Sequence, residues 1–147
     1  MQHSAAVAAL LAGAGLLGAP ARAQSGWNKS AFGGQSVAEV MKALGASQPV
    51  ASAEVSLQAL DYVENGVLVA VEAATTLPGA RRLALLVEKN PHTLAAVFEL
   101  SDAIEPKVGI QLKLAQTSNV YAVVLTADGR ALYAHKQIHV TLGGCAA

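Results

Sequence analysis

The residue of this chain best suited to chemistry is its single cysteine, Cys145, in the tail Gly143-Gly144-Cys145-Ala146-Ala147. One thiol cannot form a disulfide within its own chain. Glycine loses more conformational freedom on ordering than any other residue, so we expect residues 143–147 to form a flexible C-terminal arm. Five extended residues reach at most about 17 Å, which suits a sulfur atom that is presented to a narrow site on another protein.

The residues near Cys145 do not activate its thiol. An unperturbed thiol has a pKa of about 8.5 and is only a few per cent thiolate at neutral pH, and the nearest basic side chains, Lys136 and His139, belong to the preceding strand. A catalytic cysteine needs a local base, whereas a carrier thiol is deprotonated by the enzyme that it visits. Four hypotheses stay open: a carrier thiol, an exported binding or scaffold protein joined by an interchain disulfide, a redox sensor, and a cysteine without a role.

The size and charge of the chain exclude several classes of protein. Its 147 residues allow one ordinary domain, and its ten basic and ten acidic side chains give a formal charge of zero. No basic block is present and aromatic residues are scarce, so a nucleic-acid partner is not expected. No glycine-rich phosphate loop, hydrolase carboxylate pair or catalytic triad order is found.

The first 23 residues resemble a secretory signal peptide. An apolar run over Ala5–Leu17 is followed by Ala21-Arg22-Ala23, a cleavage signal of the A-x-A type. The run has about 13 residues, fewer than the roughly 20 that span a bilayer. We therefore expect an exported protein, cut after Ala23, that has no membrane contact after cleavage. Its formal charge becomes −1, because removal of Arg22 leaves nine basic against ten acidic residues.

Polar and capping residues organise the start of the mature chain. Residues 24–35 are predicted to be a mobile leader. Ser36 and Glu39 have capping-box spacing, the apolar residues that follow have helical spacing, and Gly45 is a plausible stop. The sequence thus predicts a short helix over Val37–Leu44.

Alternating apolar residues and turn signals predict a mainly β domain over residues 36–142. Asn65-Gly66 and Asp128-Gly129 predict two tight hairpins. Seven or eight short strands with regular turns are typical of an immunoglobulin-like antiparallel β-sandwich, with the helix on an edge or at one end. These strands are predicted within nine apolar segments, which lie around Val55–Ala59, Tyr62–Glu64, Val67–Val69, Leu83–Val87, Leu94–Leu100, Val108–Leu114, Tyr121–Leu125, Ala131–His135 and Ile138–Leu142.

Other candidate sites have simpler interpretations. His135 and His139 share one face of a strand but lie about 13 Å apart, too far to hold one metal ion, and His92 belongs to a separate segment. No metal site is predicted. Arg81-Arg82 follows a Pro-Gly turn and is interpreted as a charged loop-to-strand junction rather than an anion site.

Several segments together resemble the SoxY family, the sulfur-carrier subunit of periplasmic thiosulfate oxidation. The similarity covers roughly residues 36–145, and its specificity comes from the order of the segments and the Gly-Gly-Cys tail. The segments are Val87-Glu88-Lys89-Asn90-Pro91, Ile110-Gln111-Leu112-Lys113-Leu114 with Thr117-Ser118, Val120-Tyr121-Ala122-Val123-Val124 and Val140-Thr141-Leu142-Gly143-Gly144-Cys145.

This resemblance implies a periplasmic carrier that is not itself an enzyme and has no cofactor of its own. Cys145 would bear thiosulfonate and persulfide adducts, and Gly143 and Gly144 would give the arm slack. The implied partners are a second sandwich subunit, SoxZ, and three enzymes: the haem enzyme SoxXA, the manganese hydrolase SoxB and, where present, the molybdenum-haem dehydrogenase SoxCD.

The chain departs from the family pattern at two places. Ala146 and Ala147 replace the usual pair of glycines after the cysteine, and each added methyl largely closes the positive-φ region. We expect this stiffer and wider arm to react more slowly in the narrowest partner tunnel. In addition, no Arg-Arg pair of a twin-arginine export signal precedes the apolar run.

Overall fold

The computed structural model describes residues 29–46 and 48–142, which form two short helices and nine strands. No helix within these ranges is long and apolar enough to cross a membrane. The elements, in chain order, are α1 Lys29–Phe32, α2 Val37–Ala43, β1 Val50–Ala51, β2 Val55–Ala59, β3 Tyr62–Asn65, β4 Val69–Thr75, β5 Ala80–Val87, β6 Leu94–Glu99, β7 Lys107–Leu112, β8 Ser118–Thr126 and β9 Ala131–Leu142.

The strands form two facing sheets. The larger sheet has the order β1-β9-β8-β5-β6, with β3 also paired to β9, and the smaller sheet has the order β2-β4-β7. Both sheets are antiparallel except at β1 and β3, which run parallel to β9. Apolar side chains of the larger sheet such as Leu85, Val124 and Ile138 are buried against Val71 and Leu112 of the smaller sheet. The predicted β-sandwich is confirmed.

A second apolar core lies on the outer face of the larger sheet, under the helices. Val40 and Met41 of α2 pack there with Leu86 and Val123. The expectation that the helix would occupy an edge or one end of the sandwich was therefore wrong. All five residues of Leu83–Val87 are buried, because the helices cover one face of β5 and the smaller sheet covers the other.

The predicted capping of α2 is confirmed by its geometry. Ser36 Oγ accepts a hydrogen bond from Glu39 N at 3.2 Å, and Glu39 Oε2 accepts one from Gln35 N at 2.8 Å. Gly45 follows the helix with φ 85°, a left-handed conformation that suits glycine.

Part of the predicted leader packs on the domain. Residues 24–28 lie outside the described ranges, but Lys29–Phe32 forms α1, and its Ala31 is fully buried in the core under the helices. The predicted signal peptide, residues 1–23, also lies outside the described residues.

The Asn65-Gly66 hairpin was predicted wrongly. The strand before this dipeptide, β3, pairs in parallel with β9, whereas β4 pairs with β2 and β7. Gly66 does not have a positive φ, so the dipeptide does not form the predicted turn. Its Asn65 side chain instead accepts a hydrogen bond from Val67 N at 2.9 Å.

The second predicted hairpin is confirmed. Asp128-Gly129 connects the antiparallel strands β8 and β9, and Gly129 has φ 86°. The two strands predicted after this turn are one strand of twelve residues, Ala131–Leu142. This long strand pairs with β1, β3 and β8, and in the sequence it is followed directly by the cysteine-bearing tail.

Candidate functional site

The predicted carrier residue and its arm lie outside the described residues. The structure therefore defines the candidate site through the segment that carries the arm, the last four residues of β9, His139–Leu142, which we call the arm root. Cys145 follows Leu142 by three residues, so its sulfur cannot lie more than roughly 10 to 15 Å from the backbone of the arm root.

One edge of the arm root is covered by β3. The two strands are parallel, with Tyr62 opposite His139, Val63 opposite Val140 and Asn65 opposite Leu142. His139 N donates to Asp61 O at 2.8 Å, and the hydroxyl of Thr141 donates to Val63 O at 3.3 Å. β3 thus provides a backbone partner along the full length of the arm root.

Lys136 fastens the start of β3 to the middle of β9. Its ammonium group lies 2.9 Å from Asp61 Oδ1 and also donates to the carbonyl of Ala59. The Lys136 side chain is less than one third exposed, whereas that of Asp61 is largely exposed. This contact ties the connection between β2 and β3 to the strand that carries the arm.

Among the described residues, no strand pairs with the other edge of the arm root. β8 begins at Ser118, which lies opposite Ile138, so β9 continues four residues past its partner. There Thr117 Oγ1 accepts a hydrogen bond from Val140 N at 2.9 Å. A single side chain thereby replaces the missing strand.

Contacts between neighbouring loops hold Thr117 and the end of β3 in place. Leu114 N donates to Gly66 O at 2.7 Å. The backbones are so close that a Cβ atom on Gly66 would lie 2.1 Å from Leu114 O, and this close approach is why glycine is needed there. Asn90 holds the same loop through Lys113 O at 2.6 Å and Ala115 N at 2.9 Å. We call Gly66, Asn90, Leu114 and Thr117 the arm seat.

Exposed apolar side chains lie on β3, which covers one edge of the arm root, and in the residues that flank this strand. The ring of Tyr62 stacks on that of His139, with 4.8 Å between centroids and an interplanar angle of 17°. Leu60, Tyr62 and Leu68 are each about two-thirds exposed, at 70%, 66% and 67%. A protein that contacts the arm root therefore also meets these side chains.

The histidines of the sequence analysis lie apart. His135 stacks on Tyr121, 5.4 Å between centroids, whereas His139 stacks on Tyr62, and His92 is exposed in the turn after β5. In residues 29–46 and 48–142 no group of three or more His, Cys, Asp or Glu side chains could hold a metal ion. Arg81 lies 3.7 Å from Asp102 in an exposed ion pair.

A cavity of about 700 Å³ lies beside α2, remote from the arm root. It is lined mainly by apolar groups, with Met41, Tyr121 and Tyr133 among them. Burial, and then the charge of Glu88 and the neighbouring Tyr133, raise the pKa of Tyr121. Tyr133 precedes the arm root by six residues of β9, roughly 20 Å, so this part of the cavity lining lies well away from the arm root.

Sequence reasoning missed the arm seat. Asn90 was named only within a segment that resembles the SoxY family, and Gly66 was interpreted as a hairpin residue. The available signal was the isolated polar residue Asn90 beside a proline, although its partners lie 23 and 25 residues away in the sequence. Thr117 matched no capping, turn or strand signal in the sequence.

Comparisons with known proteins show which proteins this chain is similar to. A family model described as sulfur oxidation protein SoxY matches residues 40–145. Among solved structures, the sulfur carrier protein SoxY from Chlorobium limicola f thiosulfatophilum is 26% identical, with a TM-score of 0.63 over 70% of this chain and 93% of that chain. A search of curated proteins finds no match.

Another group of solved structures shares the fold alone. A variant of superoxide reductase (neelaredoxin) from Ignicoccus hospitalis is 21% identical, with a TM-score of 0.52 over 58% of this chain and 78% of that chain. A putative superoxide reductase from Thermotoga maritima is 14% identical, with a TM-score of 0.50 over 63% and 87% of the two chains.

Proposed function

Because this chain belongs to the sulfur oxidation protein SoxY family, we propose that it is a covalent sulfur carrier that bears its substrate on Cys145. The observation that carries the proposal is the family match, which ends at residue 145, the position of the only thiol. The sulfur carrier protein from Chlorobium is similar in fold over most of its length. The position of the thiol three residues beyond a long, well-paired strand supports the same role.

The chain contributes a nucleophilic sulfur and a tether. In the loading step, the Cys145 thiol loses its proton and its sulfur forms a bond to the outer sulfur of thiosulfate. This bond formation releases two electrons, which a SoxXA-like haem enzyme accepts. A SoxB-like hydrolase then adds water across the bond between the two outer sulfur atoms, which releases sulfate and leaves a persulfide on Cys145. The chain itself acts as the substrate-bearing subunit rather than as an enzyme.

The proposed setting is the periplasm, after removal of residues 1–23. A SoxZ-like sandwich is the proposed stable partner, and a SoxCD-like dehydrogenase is proposed to act on the remaining persulfide where it is present. The exposed apolar residues Leu60, Tyr62 and Leu68, on and next to the strand that covers the arm root, support contact with visiting proteins, because exposed apolar patches are typical of interaction sites.

Mass spectrometry of the C-terminal peptide tests the proposal. The mature protein is incubated with thiosulfate and the reconstituted partner proteins, and the peptide containing Cys145 is expected to gain the mass of a thiosulfonate and then of a persulfide. Cys145→Ser is expected to gain neither and to abolish thiosulfate-dependent turnover. Full turnover by Cys145→Ser would refute the carrier role.

The same samples separate the carrier role from a disulfide-linked scaffold. On a non-reducing gel, a scaffold joined through Cys145 runs as a covalent dimer, and its function survives removal of residues 143–147. The carrier is expected to lose all thiosulfate turnover on that truncation and to form no covalent dimer on the same gel after loading.

A further inference from the structure

The Asn90 side chain joins two loops at the end of the sandwich where the arm begins. Its amide nitrogen donates to Lys113 O at 2.6 Å, and its amide oxygen accepts from Ala115 N at 2.9 Å. It thus satisfies two backbone groups of a segment that follows β7 and belongs to no strand. From this geometry we propose that Asn90 is a positioning residue that holds the arm root of the sulfur carrier in place, an inference that rests on the proposed function.

The hydrogen bonds lead from Asn90 to the arm root along two routes. The first runs through Leu114, between the two groups that Asn90 holds, to Gly66 O at 2.7 Å. Gly66 directly follows Asn65, the strand partner of Leu142. Asn90 therefore supports the β3 edge of the arm root through a single intervening backbone contact.

The second route runs through Thr117. Thr117 lies two positions after Ala115, whose N–H donates to the Asn90 side chain. The Thr117 hydroxyl accepts a hydrogen bond from Val140 N at 2.9 Å. No strand of the larger sheet pairs with β9 on this side beyond Ile138 in the part of the chain that the structure describes. The edge of the arm root opposite β3 thus depends on the loop that Asn90 holds.

The turn that contains Asn90 is itself anchored, so the side chain can act as a fixed support. Asn90 N donates to Val87 O at 3.2 Å, which closes the turn after β5. Lys89 N donates to Ser118 Oγ at 3.0 Å, and Glu88 N donates to Asn119 O at 3.0 Å. The turn is therefore attached at both β5 and the first residues of β8.

The pairing of the arm root sets how many residues separate the sandwich from the sulfur of Cys145. With the root paired, the tether comprises the three residues 143–145, and a released root would add residues 139–142 to it. Effective concentration at a docked partner falls roughly as the −3/2 power of tether length, so lengthening from three to seven residues lowers it roughly three- to fourfold. Asn90 thereby raises the effective concentration of the sulfur at a partner's active site.

Hydrogen exchange at the arm root tests this role directly in the full mature chain. Asn90→Ala removes two hydrogen bonds and is expected to speed exchange at the His139 and Val140 amides about tenfold, while the β5–β8 ladder is unchanged. Thr117→Val, which removes the bond to Val140 itself, is expected to give the same pattern. If exchange at the arm root in Asn90→Ala is unchanged, or rises equally throughout the protein, the proposal is overturned.

A variant at the far end of β9 separates positioning from general stability. Thr126 bonds to Arg130 N at 3.1 Å beside the Asp128-Gly129 turn, so Thr126→Val removes a comparable side-chain contact there. It is expected to leave exchange at the arm root unchanged. With a loading enzyme, Asn90→Ala is expected to lower kcat/KM by up to roughly fourfold, the limit for complete release of the arm root. Thr126→Val is expected to leave kcat/KM unchanged, and both variants are expected to react with iodoacetamide at the wild-type rate. Equal kcat/KM for these two variants would overturn the proposal.

The two proposals fail in different experiments. Exchange measurements on Asn90→Ala involve neither Cys145 nor thiosulfate, so they report on the arm seat even if the carrier role is refuted. Conversely, turnover by Cys145→Ser reports on the carrier role with the arm seat intact.

Discussion

Gly66→Ala is expected to disrupt the arm seat at one close contact. The added Cβ would lie 2.1 Å from Leu114 O, 3.2 Å from Leu114 C and 3.4 Å from Val140 Cγ1. The first distance is shorter than any ordinary contact, so the two backbones must separate by about 1 Å, and the bond from Leu114 N to Gly66 O is lost. Both partners are backbone groups, which cannot rotate away as a flexible side chain would.

The expected cost combines two effects of similar size. Forced repacking around an extra methyl costs about 1–3 kcal/mol, and a buried amide without its partner costs about 1–3 kcal/mol. Since both effects are partly relieved by the same backbone shift, we expect the free energy of unfolding to fall by about 2–4 kcal/mol. For a domain of this size that corresponds to a decrease in Tm of roughly 8–16 °C.

Urea unfolding and thermal melting measure this cost, with Gly109→Ala as the matched control. A Cβ on Gly109 meets nothing within 4 Å, and its φ is not positive. Gly109→Ala is therefore expected to lie within about 0.5 kcal/mol of the wild type. Equal stability of the two variants would refute the close approach of Gly66 to Leu114, and with it one route of the arm seat.

Two further perturbations test the helix-covered core and the turn before β9. Leu86→Ala, in the core under α2, is expected to cost about 2–5 kcal/mol in urea unfolding and to speed amide exchange in α2; unchanged exchange in α2 would contradict the packing of the helix on Leu86. The Thr126 hydroxyl, and then Arg130, lower the pKa of Asp128. A lowered carboxyl pKa stabilises the fold above the ordinary carboxyl range, and the contribution is lost as pH falls through the lowered pKa. The stability difference between the wild type and Asp128→Asn is therefore expected at neutral pH and to vanish in acid; a constant difference would contradict the assignment.

Local sequence signals predicted the elements whose determinants are close in the chain. The cap of α2 needs only Ser36 and Glu39, and the turn between β8 and β9 needs a glycine with positive φ, which Gly129 supplies. Strand alternation identified β5, β6 and β7 for the same reason. In each case the sequence signal lies within a few residues, although the strand partners lie farther away in the sequence.

The elements predicted wrongly depend on partners that are distant in sequence. Asn65-Gly66 has the composition of a hairpin turn, yet Gly66 is required for close approach to Leu114, 48 positions later, and not for a positive φ. The fully apolar run Leu83–Val87 indicates that both faces of β5 are covered, because a strand with one solvated face alternates in polarity. This run was the sequence signal for the packing of α2 on the outer face of the larger sheet. That run was interpreted by its alternate residues alone, and the covered outer face was missed.

Of the candidate site, the sequence predicts only the proposed carrier residue. Cys145 was identified from composition, from its position and from the resemblance to the SoxY family. The residues that support the arm root could not be predicted from the sequence, because Asn90 and Thr117 bind backbone atoms of partners that lie 23 to 25 residues away. Hydrogen bonds of this kind leave no periodic pattern in a sequence.

The parallel pairing of β3 with β9 has a consequence for biogenesis. Contacts such as the one from Thr141 to Val63 span 78 residues, and pairings across long separations form slowly because a large loop must close first. The platform beneath the proposed carrier sulfur can therefore be completed only after β9, Ala131–Leu142, has been synthesised. A nascent chain without β9 would lack that platform, so the proposed thiosulfate chemistry would be confined to chains in which both strands are present.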